Sequence, residues 1–252
     1  LATLFLMGIA VTITGIAGAQ TTLDEISQQA SQLEAELGKY NDATPEAADV
    51  MVKLTDLYHS DARLFGLVRI GNRFISTHPN DPRHEAVMLK TIEGLQALSR
   101  NSDLIVACRQ FLVQHPKASE CSKVEQLLAD TLSRGRESKA TAAAYHAIWT
   151  RHGNTEQGRL AAARAIRYYA QSGNKYITAG AQLAEDVMDA NQGLLAVNIG
   201  LHSVREWARS AKYSESNRAA AKLLRNAALK SPEQKRSLHT QMAENYSRLG
   251  QY

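Results

Sequence analysis

The chain has 252 residues and a formal net charge of +4, with only five prolines and four phenylalanines. Long runs of Ala, Leu, Gln, Glu and Arg favour helix over sheet. Charge is uneven, because residues 20–60 carry 2 Lys and Arg against 8 Asp and Glu (net −6) and residues 131–252 carry 18 against 9 (net +9). The basic residues are spread along the second segment without a cluster, which argues against a nucleic-acid-binding protein.

The first nineteen residues differ from the rest of the chain. Leu1 to Gly18 is apolar and uncharged, and it ends in Ala17-Gly18-Ala19 before Gln20. Small residues at the last and third-last positions are typical of a signal-peptidase site. The pattern therefore predicts a signal peptide over residues 1–19 and a mature protein outside the cytoplasm, periplasmic or secreted, that starts near Gln20. The alternative is an uncleaved membrane anchor, since about 19 apolar residues can just span a bilayer.

The remaining chain reads as helices joined by short polar segments. Apolar residues recur at helical spacing from Leu23 to Tyr40, which predicts an amphipathic helix that is followed by a linker, together covering residues 20–44. Thr44 before Pro45 is typical of a helix N-cap. From there the pattern predicts repeats over 45–252, with helices at 45–59, 61–77, 82–98, 102–114, 118–134, 138–151, 156–171, 175–189, 193–211, 215–230 and 232–249.

The helix ends repeat at a fixed distance. His78-Pro79, His115-Pro116 and His152-Gly153 each close a helix, and they follow one another at 37 residues. Proline and glycine stop a helix at such places. Paired helices with a stop at this period are typical of stacked hairpins, because one hairpin cannot bury its apolar face alone. The predicted fold class is all-α, a right-handed solenoid of stacked antiparallel helical hairpins with at least four hairpins.

One segment carries a family resemblance. Residues 201–234 resemble a tetratricopeptide repeat, with Ala220, Leu224, Ala227 and Pro232 on the small, large, small and proline positions of that family and Trp207-Ala208 on its large-then-small pair. The residues from Met242 to Tyr252 look like the first helix and turn of another repeat. The resemblance implies a TPR-like scaffold for protein or peptide binding, and a chain that continues beyond Tyr252.

Several residue groups that can suggest chemistry have a plainer explanation. His78, His115 and His152 lie on successive repeats, too far apart to share a metal ion, and are predicted to interact with helix C-termini. Cys108 and His115 are about 10 Å apart along one helix, too far for a nucleophile and its base. No glycine-rich phosphate loop is present in the sequence. We therefore predict no catalytic residues, no metal and no cofactor, and a protein that is not an enzyme.

Other groups leave alternatives open. Tyr168, Tyr169 and Tyr176 suit either a recognition patch or aromatic core packing. In an exported protein Cys108 and Cys121 can form a disulfide, and two buried thiols are the alternative.

The arginines of the basic segment are the candidate partner-binding residues. They lie on the first helices of the predicted hairpins, which line the concave face in TPR-like repeats: Arg159, Arg164, Arg167, Arg205, Arg209 and Arg248. A guanidinium binds a carboxylate through two parallel hydrogen bonds, so the expected partner is a protein or peptide with acidic groups. The alternative is that these arginines are solubilising surface or pair internally with nearby glutamates.

The predicted function is an exported scaffold for protein or peptide binding. Two alternatives remain at this stage. The repeats can be an accessory segment of a larger exported enzyme, for example with a thioredoxin-like domain beyond residue 252, or a cell-envelope assembly factor. No nucleic acid is expected as a partner, and a membrane is expected only through an uncleaved segment 1–19.

Overall fold

The computed structural model of the chain describes residues 24–190 and 193–250. Within these ranges the regular structure is α-helical throughout, without strands, which confirms the predicted all-α class. No helix there is long and apolar enough to cross a membrane. The predicted signal segment, residues 1–19, lies outside the described residues. Helix α1 covers 24–37, and eleven further helices follow: α2 (Pro45–Ser60), α3 (Leu64–Thr77), α4 (His84–Ala97), α5 (Asn101–Gln114), α6 (Cys121–Arg134), α7 (Ser138–His152), α8 (Glu156–Gln171), α9 (Asn174–Ala190), α10 (Leu194–Arg209), α11 (Tyr213–Leu224) and α12 (Pro232–Arg248).

The helices form two compact units, which the sequence did not predict. The first unit ends at Ala118 and the second begins at Ser119. Within the first, α2 packs on α3, α3 on α4 and α4 on α5; within the second, each helix from α6 to α12 packs on the next. Alternate helices also touch, α2 with α4 and α8 with α10. Within each unit this is the packing of helical hairpins stacked in sequence order. The described residues of the two units contain five hairpins: α2/α3, α4/α5, α6/α7, α8/α9 and α10/α11.

Helix α1 belongs to the core of the first unit. Its residues Ala30 and Leu37 are 4% and 3% exposed and join a cluster with side chains of α2 and α3. Polar contacts hold the same helix, because Tyr58 donates a hydrogen bond of 2.6 Å to Glu34 and Arg69 forms an ion pair with that carboxylate. Burial, together with the Glu34 carboxylate, raises the pKa of Tyr58 to about 12.

Most helix ends lie within a few residues of the prediction, and α11 is the exception. The sequence predicts a helix over 215–230, whereas α11 ends at Leu224. Asn226 accepts the backbone N–H of Ala228 on its side-chain oxygen, at 2.9 Å, and that of Leu229 on its carbonyl, at 3.0 Å, so the chain turns there. Ala227 is consequently exposed in a loop. Its assignment to a small-residue position of the tetratricopeptide repeat, at which two helices touch, is therefore wrong.

The turn inside each hairpin has the same backbone geometry. One residue per hairpin takes a positive φ, and these residues follow one another at 37 or 38 positions: Ala62, Ser99, Arg136, Gly173 and Ala211. At the turns of Ala62, Ser99, Arg136 and Ala211 the next residue donates its N–H five positions back, as Arg63 does to the Tyr58 carbonyl at 2.9 Å. This is the Schellman end of a helix. The repeat period of the sequence is therefore also the period of the backbone.

Candidate functional site

Polar side chains join alternate helices in both units. In the first unit, Asp49 pairs with Arg83 at 2.6 Å and Asp56 with Lys90 at 2.5 Å, which links α2 to α4. In the second unit α6 is linked to α8 in the same way. Asp130 lies 3.5 Å from Arg164, and Ser133 is hydrogen-bonded to the Tyr168 hydroxyl at 2.5 Å. Partners 34 or 35 residues apart thus occupy equivalent positions of neighbouring repeats.

The seam between α8 and α10 is different. Within the described ranges no hydrogen bond or ion pair joins these two helices, and a groove of about 540 Å³ lies there instead. Its apolar floor includes Ile166 and Ile199, which are 3% and 5% exposed. Exposed polar side chains stand above this floor, namely Arg167, Asn198 and Arg209. The seam thus presents an apolar base with positively charged edges to solvent.

The positive charge of this groove is only partly neutralised. Arg167 has no acidic partner in the part of the chain that the structure describes, and its guanidinium lies 5.3 Å from the centre of the Tyr168 ring. Arg209 lies 2.7 Å from the Glu206 carboxylate on its own helix. The Glu206 oxygen nearest to Arg209, Oε2, is buried. It forms an ion pair with Arg209, but it accepts no hydrogen bond of normal geometry from any described residue. Arg167 is therefore the cation of the groove that is available to a partner.

A second cavity lies on the other side of α10. It has a volume of about 350 Å³ and separates α10 from α12. Arg205 and Glu233 both line it above the buried Leu238, and Arg205 donates a hydrogen bond of 3.3 Å to the Leu201 carbonyl. The surface that α8, α10 and α12 present is therefore lined by cavities on both sides of α10.

The structure brings together some of the predicted arginines and separates others. Arg167 and Arg209 line one groove, and Arg205 lines the adjacent cavity. Arg164 is engaged by Asp130 and by the Tyr145 hydroxyl at 3.3 Å. Arg159 donates to the Asn154 carbonyl at 2.6 Å. Arg248 lies 5.7 Å from the ring centre of Tyr213. Partner binding by each of the six stays a prediction, and the geometry favours Arg167.

Sequence reasoning missed most residues of the groove, including two polar residues of α10. Asn198 and His202 both line it, at positions one helical turn apart on α10. The signal was in the sequence, since Asn198, His202 and Arg209 recur at steps of four and seven residues and so share a helix face. What the sequence lacks is the position of α8, which makes this face one wall of a cavity.

The three tyrosines that the sequence singled out on α8 and α9 are mainly packing residues. Tyr169 is 9% exposed within a core cluster, and Tyr168 and Tyr176 pack partly buried against the same cluster. Tyr168 also stacks on Tyr145, with ring centres 6.0 Å apart. Of the two alternatives that the sequence left open, the structure supports core packing.

Both cysteines are buried. Cys108 lies in α5 of the first unit and Cys121 begins α6 of the second. Burial raises the pKa of the Cys108 thiol to about 12, so this thiol is protonated and unreactive near neutral pH. The disulfide between Cys108 and Cys121 stays a prediction.

The three repeated histidines stand at helix ends. His78 and His115 directly follow α3 and α5, and His152 is the last residue of α7. His152 contacts the buried Glu125 carboxylate at 3.1 Å. Among the described residues no group of three or more His, Cys, Asp or Glu is placed to hold a metal ion.

Comparisons with known proteins give structural neighbours only. No protein-family model matches the sequence. No curated protein matches it. The fold is similar to a solved tetratricopeptide repeat protein from Parabacteroides merdae, with 12% identity and a TM-score of 0.42, covering 81% of this chain and 73% of the other. It is also similar to the MamA protein, with 12% identity and a TM-score of 0.36, covering 83% of this chain and 97% of the other. Similarity this low carries no argument about function.

Proposed function

We propose that this chain is a non-catalytic helical-repeat scaffold that binds a protein or peptide with acidic groups. The stacked hairpins support a scaffold role, because repeats of this kind offer a long surface that is already ordered before the partner arrives. The groove between α8 and α10 is the proposed binding site. The observation that carries the proposal is Arg167, an exposed guanidinium without an acidic partner in the described chain, beside an apolar floor.

The chemistry of the groove matches a segment that combines carboxylates with aliphatic side chains. Aliphatic side chains lose water on contact with the floor around Ile166 and Ile199, which stabilises the complex. A carboxylate can accept two parallel hydrogen bonds from the Arg167 guanidinium. The exposed amide of Asn198 offers both a donor and an acceptor to a peptide backbone.

The test uses a fluorescent peptide built from Glu and Leu residues, with binding followed by anisotropy. Arg167→Ala should weaken binding by roughly 1 kcal/mol, about fivefold in Kd, because an exposed ion pair contributes about this much. Affinity should also fall as salt rises, since charges are screened beyond about 8 Å at physiological ionic strength.

The matched control is Arg225→Ala. Arg225 is exposed on the loop after α11 and donates a hydrogen bond to the Ala221 carbonyl, so this variant removes the same charge outside the groove. It should bind the peptide as the unchanged protein does. An equal loss of affinity in the two variants would mean that only the net charge of the protein matters. Unchanged affinity in both variants would overturn the proposed site.

We also propose that the scaffold is exported and that its mature form starts near Gln20. The uncharged apolar run from Leu1 that ends in Ala17-Gly18-Ala19 supports this. N-terminal sequencing of protein recovered from the periplasm or the medium should read from Gln20 or within a few residues of it. Recovery from membranes with residues 1–19 intact would instead establish an anchor.

A further inference from the structure

His202 stands in the α8/α10 groove with unused hydrogen-bonding capacity. It lies in the middle of α10, half-buried, and lines the groove together with Arg167 and Arg209. Its Nε2 is buried and has no hydrogen-bond partner among the described residues. An imidazole nitrogen that is buried in this way accepts a proton only at a cost, because the new N–H has no acceptor.

Charges of both signs surround His202. On its own helix Arg205 and Arg209 are repulsive to an imidazolium, and Glu206 is attractive. The charges with the clearest effect on the imidazole all lie on α10 itself, and Arg167 of α8 lines the same groove. Burial is the largest effect and lowers the pKa of His202 below its ordinary value, so the imidazole is neutral near pH 7 when the groove is empty.

A carboxylate bound in the groove favours protonation of His202. It brings a negative charge next to the imidazole, which favours the protonated form of the ring. We propose that an acidic partner segment binds the α8/α10 groove together with one proton taken up by His202, so that affinity rises as the pH falls from about 8 to about 6. This inference rests on the proposed function of the groove and adds a dependence on pH to it.

The sign follows from linkage. A ligand that raises the pKa of His202 binds more tightly at any pH at which the complex is protonated and the empty groove is not. Each unit of pKa increase raises the affinity up to tenfold across that window. The carboxylates of the ligand stay ionised throughout, since their ordinary pKa is about 4.

The experiment measures the Kd of the Glu- and Leu-containing peptide between pH about 6 and about 8. Affinity should rise about three- to tenfold toward acidic pH, and calorimetry in buffers of different ionisation enthalpy should show proton uptake. His202→Asn should still bind the peptide, without the pH dependence and without the proton uptake. His239→Gln, which changes an exposed histidine of α12, should behave as the unchanged protein does. Circular dichroism at each pH shows whether a loss of binding is caused by unfolding.

The outcomes distinguish the two proposals. If the peptide binds with a Kd that is independent of pH, or if His202→Asn keeps the full pH dependence, the role of His202 is overturned and the groove remains a binding site. If the peptide does not bind at any pH, the proposed function of the groove fails and the inference fails with it.

Discussion

His84 is a buried histidine of the first unit whose neighbours oppose its protonation. It begins α4, is 2% exposed, and its Nδ1 lies 2.9 Å from Nε2 of His115. Its other nitrogen is buried without a hydrogen-bond partner in the described chain. Burial first, and then the charge of His115, lower the pKa of His84, while the Ile75 backbone and then Asp81 act in the opposite direction. The folded protein thus resists a proton that the unfolded chain accepts.

This difference makes stability depend on pH. The unfolded chain takes up the proton as the pH falls through about 6.5, the ordinary pKa of histidine, and the folded chain takes it up only at lower pH. The free energy of unfolding should therefore be at its full value above about 6.5 and should fall below that pH. His84→Gln, which does not titrate, should show a smaller loss of Tm between pH about 7.5 and about 5.5.

The control for this experiment is the exposed His239 of α12. His239→Gln should keep the slope of Tm against pH of the unchanged protein. A residual slope is expected in His84→Gln, because burial also lowers the pKa of His146 and of His202. If His84→Gln kept the full slope of Tm against pH, the proposed role of His84 would be wrong.

At the scale of elements, the backbone of the hairpin turns has a positive φ that favours glycine, but four of the five described turns have another residue there. Ala62 follows α2 with a φ of 52°, and only Gly173 supplies a glycine at the equivalent position of the five described hairpins. For residues with a side chain this backbone region costs about 1–2 kcal/mol, because Cβ approaches the carbonyl oxygen. The turns keep this backbone conformation because the helices on either side are fixed in place by buried residues such as Tyr58 and Leu67.

Glycine at such a turn should stabilise the protein. Ala62→Gly should raise the free energy of unfolding by about 0.5–1 kcal/mol, since the relief of strain exceeds the added entropy of the unfolded chain. Urea denaturation measures it. Ala143→Gly makes the same chemical change at an exposed position inside α7 and should lower the free energy by about 1 kcal/mol. A loss of stability in both variants would show that the Ala62 turn carries no strain.

At the scale of the whole molecule, the charge gradient acquires a structural meaning in the second unit. Residues 131–252 carry a net +9, and the structure sorts its arginines by what they contact. Arg164 and Arg218 pair with Asp130 and Glu185, so they are part of the links between repeats. Arg167 and Arg205 have no carboxylate partner in the described residues, and both line cavities beside α10. Net charge alone could not separate these two groups.

The sequence by itself determined the helices and their period. Apolar residues at three- and four-residue steps, caps such as Thr44 before Pro45, and stops such as Pro79 act within a few residues of one another, so their effects can be read along the chain. The all-α class and the hairpin stacking follow from them. Where a local rule was overlooked, as at Asn226, the predicted end of α11 was wrong.

Only the tertiary structure decided which surface is available. The pairing of Asp130 with Arg164, the absence of such a pair between α8 and α10 in the described chain, and the place of His202 in the groove all depend on residues about 34 positions apart. Which of them meet is set by how neighbouring hairpins pack, and helical periodicity carries no information about that. The sequence therefore predicted basic first helices, and packing selected the groove at which their charge is left unpaired.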